Sequence, residues 1–408
     1  MVEYINSQDS SLVSVIIPNY NHARYLGDAI QSVLDQLYRH VEIIVVDDGS
    51  SDNSREVVDN FGSRIKSIWQ RNQGLSAARN AGIQASNGDF IGVLDADDLY
   101  DPNYLSTLVP MLEADPGAYG IYCGYRFVDH QNRSLPQIEA RDIPDGKLYD
   151  ALLDGNFLVP ESVLVRRQCY EKTNLFDDSL TACEDWDMWL RLSKKYRFIG
   201  TDQILTRHRV LPGSMSSDPK KMFNNRLAVL NKHFGERETN GGMSSAQQRA
   251  YGRAYLASCV EYQQYGDEEM SYQCFWNMAK VYPDLLTLID TYYQLGCGDQ
   301  PKGYMGHFAS MDLKRSAITL LNMLDRLFMD PDLSTRLKDY RRTAYSNAYF
   351  ALALLNYGAR QYGETRGLLM SILRTNPRYG LQWQFVAIWL KSLLDVRLVE
   401  RGTELRQD

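Results

Sequence analysis

The first 235 residues alternate short apolar runs, rich in β-branched side chains, with segments in which apolar residues recur every three or four positions. Continuous apolar runs are expected of strands covered on both faces, and the 3–4 spacing is expected of amphipathic helices. Strands are predicted at residues 13–17, 41–46, 65–69 and 90–94, and helices at residues 26–37, 75–85 and 102–113. This alternation predicts an α/β fold with a mainly parallel, Rossmann-like central sheet and helices on both faces.

The pattern changes beyond Phe234. Residues 235–245 are polar and contain glycine, which favours a linker, and after them we find helical periodicity with almost no strand signal. Fifteen of the 27 tyrosines lie after position 240. We therefore predict two domains, an α/β domain over residues 10–238 and an all-α domain over residues 245–408.

A short motif of alanines and tyrosines occurs twice in the helical part. The segment that begins at Ala250 recurs at Ala344, 94 residues later, and each copy is followed after 33 residues by a proline, Pro283 or Pro377. Small residues and tyrosines at helical spacing, followed by a proline, are typical of helix-pair repeats. We predict two repeat-like helical hairpins, with chance similarity between two helical segments as the open alternative.

The charge and cysteine content exclude several classes of protein. Lys and Arg number 44 against 51 Asp and Glu, for a net charge of −7 with no basic cluster, which argues against a nucleic-acid partner. The six cysteines contain no C-x-x-C pair and suit reduced thiols in the cytoplasm better than a disulfide framework. No apolar run approaches 18 residues and no leader-like start is present, so we expect a cytoplasmic protein that is at most peripheral at a membrane.

Carboxylates follow two of the predicted strands. Asp47 and Asp48 follow the second strand, and Asp95, Asp97 and Asp98 follow the fourth. In an open α/β sheet, ligands bind beyond the carboxyl ends of the strands. Two acidic clusters there would repel each other, and a Mg²⁺ or Mn²⁺ ion bridged to a phosphorylated ligand would relieve that repulsion. The alternative is that these residues only cap helices and form turns.

Five segments in order resemble glycosyltransferase family 2, whose members are inverting enzymes with the nucleotide-sugar-binding GT-A fold. The segments lie at residues 15–21, 45–52, 72–80, 94–98 and 184–189. Each motif alone is weak, but their order and spacing together are specific. The resemblance covers about residues 12–235 and leaves the helical part outside.

The resemblance implies a donor site at the strand ends. Pro18 and Tyr20 would line the pocket for the nucleotide base, and a carboxylate of Asp47 or Asp48 would accept a hydrogen bond from that base. In the Asp-x-Asp pair, Asp95 would contact the ribose and the metal. Asp97 would be the direct metal ligand.

The resemblance also assigns a base and two cations. Asp185 would be the general base, although carboxylates at a helix start usually serve as caps. Arg79 and Arg209 would contact the diphosphate, with an ordinary salt-bridged role as the alternative for Arg79. In the segment around Arg209 the sequence departs from the family pattern, because His208 stands where a Tyr is frequent and Leu211 where a His is frequent. We consider His208 as a phosphate or metal contact.

These features together predict a metal-dependent inverting glycosyltransferase that moves a sugar from a nucleoside diphosphate donor, with a UDP-sugar favoured. The expected acceptor is a hydroxyl of a glycan, a lipid-linked molecule or a protein, as in polysaccharide biosynthesis. The alternatives are a nucleotidyltransferase, an inactive nucleotide-sugar-binding scaffold that acts through its helical domain, and, least favoured, a receiver module. Tyrosine-rich helices also leave open a protein partner or self-association, although such tyrosines most often pack between helices.

Overall fold

The computed structural model describes residues 11–235, 242–308 and 311–393. Residues 236–241, in the middle of the predicted linker, and the C-terminal part of the predicted helical domain from residue 394 lie outside the described residues. The chain divides into two compact units, Met1–Ala246 and Gln247–Asp408.

The first unit is built on a nine-stranded sheet. Its strands are β1 (Val13–Asn19), β2 (Val41–Asp47), β3 (Lys66–Trp69), β4 (Phe90–Val93), β5 (Leu99–Tyr100), β6 (Gly120–Val128), β7 (Ser134–Glu139), β8 (Val163–Arg166) and β9 (Phe198–Arg209). Its helices are α1 (Ala23–Leu34), α2 (Ser54–Asp59), α3 (Leu75–Ala85), α4 (Tyr104–Glu113), α5 (Leu148–Leu153), α6 (Arg167–Lys172), α7 (Glu184–Lys195) and α8 (Pro219–Phe234). The strand order is β3-β2-β1-β4-β8-β6-β9-β5, with β7 paired to β6 outside this path.

The sheet is mixed. The strands β3, β2, β1 and β4 pair in parallel, as the sequence pattern predicts, and β6 also pairs in parallel with β9. Antiparallel pairs join β8 to β4 and to β6, β5 to β9, and β7 to β6. The antiparallel part comes from residues after position 98, where the sequence pattern does not resolve individual strands.

Helices cover both faces of the parallel part of the sheet. Val13 and Val15 of β1 belong to the buried cluster that also contains Leu26 of α1. Ile16 points to the other face, where a Cβ at Gly82 of α3 would lie 2.3 Å from its side chain. Because alternate side chains of a strand point to opposite faces, the continuous apolar runs of β1 and β2 are explained by this two-sided burial.

The described elements of the second unit are all helical. They are α9 (Ser245–Tyr265, which begins in the last residues of the first unit), α10 (Glu268–Val281), α11 (Ile289–Gly296), α12 (Leu313–Met329), α13 (Thr335–Lys338), α14 (Arg341–Gly358), α15 (Tyr362–Thr375) and α16 (Trp383–Leu393). Two short 3₁₀ helices, Pro283–Thr287 and Pro377–Leu381, begin at the two prolines noted in the sequence.

The elements after the two alanine-tyrosine motifs repeat with the same offset of 94 residues. Adding 94 to the bounds of α10 gives those of α15, and the same offset relates the two 3₁₀ helices and the first residues of α11 and α16. Gly266 and Arg360, also 94 apart, both have positive φ, at 87° and 61°. The second unit therefore contains two copies of one arrangement, a helix pair, a proline-led 3₁₀ helix and a further helix.

All six cysteines lie within the described residues, and none of them forms a disulfide there. Five of the six are buried, as expected of reduced structural thiols. Within the described parts of the chain, no helix is both long enough and apolar enough to cross a bilayer.

Candidate active site

Arg79 of α3 connects two acidic motifs that are far apart in the sequence. Its Nη2 lies 2.8 and 2.9 Å from the two carboxylate oxygens of Asp95, and its Nη1 lies 2.6 Å from Oε1 of Glu184. The guanidinium is 1% exposed and also lies over the ring of Phe176. Burial alone would lower the pKa of Arg79, but the charges of Asp95 and Glu184 raise it above its ordinary value. Arg79 therefore has the salt-bridged role that the sequence left open as the alternative. Its contact with a diphosphate stays a prediction.

Asp185 lies at the start of α7, next to this ion pair. Cys183, the residue just before α7, has φ 59°, a left-handed conformation that a non-glycine residue rarely adopts. Oδ1 of Asp185 accepts from the amide of Trp186 at 2.7 Å, and Oδ2 accepts from Nδ2 of Asn156 at 2.8 Å. Burial and the nearby carboxylate of Glu184 raise the pKa of Asp185 to about 7. A carboxylate with this pKa can take up a proton near neutral pH.

Asp97 differs from its neighbours because, among the described residues, no donor hydrogen-bonds its carboxylate. Burial and the charges of Asp98 and Asp95 raise the pKa of Asp97 to about 7. Asp95 is already paired with Arg79, whereas no ion pair within the described ranges holds the carboxylate of Asp97, and the charges of His22 and His208 only partly oppose the rise of its pKa. Such an oxygen-rich, uncompensated position fits a hard divalent cation.

A second acidic group lies beside the end of β9. Nδ1 of His208 lies 2.9 Å from Oε1 of Glu161 and 3.2 Å from Oδ2 of Asp98, and one ligand atom from each of these residues falls within 4.8 Å of the others. Glu161 and Asp98 are almost fully buried. Burial and the charge of Glu161 raise the pKa of Asp98 to about 7, against the lowering effect of His208. The residue types would suit a transition metal. A proton on Nδ1 of His208 would be shared by the two carboxylates, while Oε2 of Glu161 is buried with no hydrogen-bond partner among the described residues.

Arg209 is buried and donates three hydrogen bonds within the protein. Its amide donates to Oδ1 of Asp98 at 2.7 Å, its Nε to the carbonyl of Asp97 at 2.7 Å, and its Nη1 to the carbonyl of Asp129 at 3.1 Å. The guanidinium lies 4.7 Å from the ring centroid of Tyr25. Nη2 is buried and has no hydrogen-bond partner among the described residues. Arg209 thereby fixes the end of β9 against the Asp-x-Asp segment, and the N–H groups of Nη2 could donate to a ligand.

Asp47, the last residue of β2, and Asp48, which follows it, are both buried. Asp47 accepts from Nδ2 of Asn19 at 2.7 Å and from the amide of Ser50 at 2.8 Å. Asp48 accepts from Nε2 of Gln70, from the amide of Gln73 and, at 2.8 Å, from the amide of Gly74. Gly74 has φ 94° at the start of α3, a conformation that favours glycine. Asp48 therefore holds the loop from β3 to α3, whereas Asp47 joins the end of β1 to the turn after β2, and Asp48 has the more complete set of donors.

Pro18 and Tyr20 lie at the carboxyl end of β1. Pro18 is buried and pairs in register with Val46 of β2, while β4 pairs with β1 only as far as Ile16. The proline therefore lies beyond the part of β1 that is bonded to β4, where a missing N–H costs little. Tyr20 follows the strand and its side chain is 47% exposed. An exposed aromatic ring at this edge is available to stack against a base.

The structure brings to the site two residues that have no predicted catalytic, donor-binding or metal role from the sequence. Glu161, in the 3₁₀ helix Pro160–Ser162, contacts His208, and Asn156, in the loop before it, contacts Asp185. Each contact joins residues 29 or more positions apart, so no local pattern marks it. The full burial of a lone Glu within an apolar stretch is visible only in the fold.

Sequence comparison places these residues in a known family. The family described as Glycosyl transferase family 2 matches residues 14–173. An uncharacterised glycosyltransferase of Rickettsia typhi is 34% identical over 218 residues, which are 51% of this chain and 65% of that protein. The uncharacterised glycosyltransferase EpsJ of Bacillus subtilis is 31% identical over 248 residues, covering 55% of this chain and 71% of EpsJ. The chain belongs to glycosyltransferase family 2, which confirms the resemblance found in the sequence.

The lengths of the relatives differ from that of this chain. The chain spans a little under two thirds of the R. typhi protein and 34% of a longer relative from Rickettsia conorii. Among solved structures, Staphylococcus aureus TarS residues 1–349 with UDP-GlcNAc has a TM-score of 0.49 at 16% identity, covering 82% of this chain and 91% of that one. The mannosyltransferase PcManGT of Pyrobaculum calidifontis, with GDP-Man and Mn²⁺, has a TM-score of 0.47 at 16% identity, covering 84% and 88%.

Proposed function

We propose that this protein is an inverting glycosyltransferase that uses a nucleoside diphosphate sugar, with UDP as the favoured nucleotide. The observation that carries the proposal is the buried Arg79, which ties Asp95 of the Asp-x-Asp segment to Glu184, the neighbour of Asp185. One guanidinium thus connects the proposed donor-binding carboxylates with the proposed base. Family membership supports the same reaction class.

In this proposal, Asp185 removes the proton from the acceptor hydroxyl. The acceptor oxygen then forms a bond to the anomeric carbon as the bond from that carbon to the diphosphate breaks, with inversion of configuration. Trp186 and Asn156 hold the two oxygens of Asp185 by hydrogen bonds, and its raised pKa suits proton uptake near neutral pH. The acceptor is a hydroxyl of a glycan, a lipid-linked molecule or a protein.

A divalent cation, Mn²⁺ or Mg²⁺, would be held by Asp97. Its carboxylate has no hydrogen-bond donor among the described residues and is surrounded by other carboxylates, which fits a hard cation. When bound, the cation neutralises charge that accumulates on the leaving diphosphate. Nη2 of Arg209 is a further donor for the diphosphate, and Tyr20, Pro18 and the Asp47–Asp48 pair would bound the base. In this proposal the protein is cytoplasmic, because its mostly buried cysteines, with no C-x-x-C pair among them, suit a reducing compartment.

The proposal is tested by calorimetric titration of UDP, GDP and dTDP, with and without Mn²⁺. We expect one nucleotide to bind in a Mn²⁺-dependent way, and Asp97→Asn to abolish the Mn²⁺ dependence while the exposed Asp59→Asn leaves it intact. A panel of the corresponding nucleotide sugars should then release the nucleoside diphosphate in the presence of acceptor. Absence of nucleotide binding would contradict the proposal. Formation of a nucleoside triphosphate and a sugar phosphate from a nucleotide sugar and added inorganic pyrophosphate would instead favour a nucleotidyltransferase.

A further inference from the structure

The helical unit contains a cavity of about 420 Å³ where the end of the first repeat copy meets the second copy. Its hydrogen-bonding side chains are Thr287, Thr343, Asn347, Asn376, Tyr379 and Gln382. Leu288 and Ile289 form an apolar part of the wall. The volume is within the range of small-molecule and ligand sites in proteins.

The cavity has a rigid polar base. Asn347 of α14 and Tyr379 are both buried, and the hydroxyl of Tyr379 donates to Oδ1 of Asn347 at 2.8 Å. Nδ2 of Asn347 donates to the carbonyl of Thr287 at 2.7 Å. Each amide and hydroxyl group still has one unused donor or acceptor position. The pair is therefore fixed in place and able to bind a further polar group.

The rim of the cavity carries polar side chains that are not engaged elsewhere. The side chains of Thr343, Asn376 and Gln382 make no hydrogen bond to any residue in the described ranges. All three are at least partly exposed to solvent. They offer both donors and acceptors, and among the described residues no charged side chain lines the cavity.

Comparison of the two repeat copies shows that, apart from Thr287, the hydrogen-bonding side chains of the cavity belong to the second copy. The small packing residues are kept between the copies, with Ala250 and Ala254 matching Ala344 and Ala348. The cavity positions differ: 94 residues before Thr343, Asn347, Asn376, Tyr379 and Gln382 stand Arg249, Arg253, Tyr282, Leu285 and Leu288. Neutral hydrogen-bonding groups thus occupy positions that hold charged or mostly apolar residues in the first copy.

We propose that this cavity is a binding site for a neutral oligosaccharide. Sugar hydroxyls require donors and acceptors at several points, which amide and hydroxyl side chains supply, and the C–H face of a sugar ring packs against apolar surface such as Leu288 and Ile289. A phosphorylated or acidic ligand would leave its charge unpaired here, which is costly.

A peptide fits this cavity less well than a sugar. Peptides bind mainly by adding a strand to a sheet edge or by placing an amphipathic helix in an apolar groove. The described residues of this unit contain no strand, and only two of the lining residues are aliphatic. The experiment must therefore distinguish binding of a neutral oligosaccharide from binding of a neutral peptide.

A saccharide site in the helical unit would complement the proposed transferase activity, because an acceptor glycan has to be bound. The proposal of this site does not depend on that activity. Binding is measured on the full chain by calorimetry with maltohexaose, chitohexaose and mannohexaose. A hexagalacturonate and an uncharged 12-residue Ala-Ser-Gly-Asn peptide serve as acidic and peptidic probes. Titration of UDP on the same preparations reports the first unit separately.

We expect one neutral hexasaccharide to bind, with affinity at least about tenfold lower in the double variant Asn376→Ala/Gln382→Ala, since two hydrogen bonds are lost. The matched control Gln384→Ala changes an exposed glutamine outside the cavity and should leave the affinity unchanged. No binding of any neutral saccharide, equal binding by the double variant, or preferential binding of the peptide would each overturn the proposal. Because UDP binding is measured independently, failure here leaves the proposed donor site intact, and the reverse also holds.

Discussion

Nη1 of Arg79 lies 2.6 Å from Oε1 of Glu184, although the two residues are 105 positions apart in the chain. The same guanidinium binds both oxygens of Asp95. A buried arginine that pairs with two carboxylates cannot be replaced by a compact ammonium without losing one of them, because the planar guanidinium presents its donors in fixed directions. Arg79 therefore holds the start of α7, and with it Asp185, in a fixed position relative to the end of β4.

The first prediction concerns Arg79→Met. The substitution leaves the buried Glu184 and the partly buried Asp95 without their partner, and breaking a buried ion pair on one side costs about 3–5 kcal/mol of stability. We expect a large decrease in the melting temperature by calorimetry. The charge of Arg79 also lowers the pKa of Asp185, so any remaining activity should require a higher pH.

A matched pair of variants separates this explanation from a general loss of packing. Arg71→Met changes an arginine in an exposed loop and should have little effect on stability. Adding Glu184→Gln to Arg79→Met removes one of the unpaired charges and should restore part of the stability. If the double variant is no more stable than the single one, the ion pair does not account for the loss.

The second prediction is that sugar transfer depends on a group with an apparent pKa near 7. Asp185 must be ionised to act as a base, and burial with the charge of Glu184 raises its pKa to about 7. At saturating Mn²⁺, kcat/KM should rise about tenfold per pH unit below pH 7 and level off above it. The rate of sugar transfer by Asp185→Asn should be about 100- to 10,000-fold lower than that of wild type. A flat profile between pH 5 and 8 would contradict the assignment.

The third prediction is that Asp185→Asn stabilises the protein at high pH. Because the pKa of Asp185 in the folded state is about 7, against an ordinary value of 3.8, the folded protein binds this proton more tightly than the unfolded chain does. The contribution of Asp185 to stability therefore falls as the pH rises from about 4 to 7. The free energy of unfolding of Asp185→Asn minus that of wild type should be larger at pH 8 than at pH 5, by on the order of 2–4 kcal/mol. An equal difference at both pH values would show that the carboxyl is not perturbed.

The fourth prediction identifies Asn156 as a positioning residue. Its amide donates to Oδ2 of Asp185 and lowers the pKa of that carboxyl. Asn156→Ala should lower kcat by about 10- to 100-fold, and the pH at which kcat/KM is half-maximal should move upward. The exposed Asn174→Ala is the control. A loss of activity without any shift of the pH profile would mean that Asn156 acts in another way.

The fifth prediction separates two positions for the divalent cation. His208 already lies within hydrogen-bond distance of Asp98 and Glu161, whereas Asp97 has no such partner among the described residues. Mn²⁺ affinity, measured by electron paramagnetic resonance in the presence of the nucleotide, should therefore fall strongly in Asp97→Asn. It should change little in Glu161→Gln, whose amide keeps the size of the side chain. The opposite result would place the cation in the buried Asp98–Glu161–His208 group.

The local patterns of the sequence predict the parallel part of the sheet well. The predicted helix over residues 75–85 has the bounds of α3, and the apolar runs at 13–17 and 41–46 fall within β1 and β2. Two-sided burial makes these strands continuously apolar, which leaves a strong signal in the sequence. The strands β5 to β9, which belong to the mixed part of the sheet, were not resolved in the same way, because their pairing depends on partners far along the chain.

The sequence was enough to predict that Asp95 and Asp97 belong to the site, but it did not show that their ion-pair and hydrogen-bond partners differ. Asp95 and Asp97 have the same chemistry and lie two residues apart, yet one is paired with Arg79 and the other has no hydrogen-bond donor among the described residues. This difference decides which of them is suited to a cation. It depends on α3 packing against the sheet, which brings position 79 next to position 95.

The order of the motifs, the alternation of apolar runs and the repeated alanine-tyrosine segment were enough to determine the family, the two-part organisation and the offset of 94 residues. These features are local, since they depend on side-chain periodicity and on residue types at fixed spacing. Only the tertiary structure decided that Asn156 holds Asp185, that Glu161 is buried against His208, and that the second repeat copy lines a neutral cavity. Those contacts join distant segments, and burial sets both the pKa values and the hydrogen-bond partners that give each residue its role.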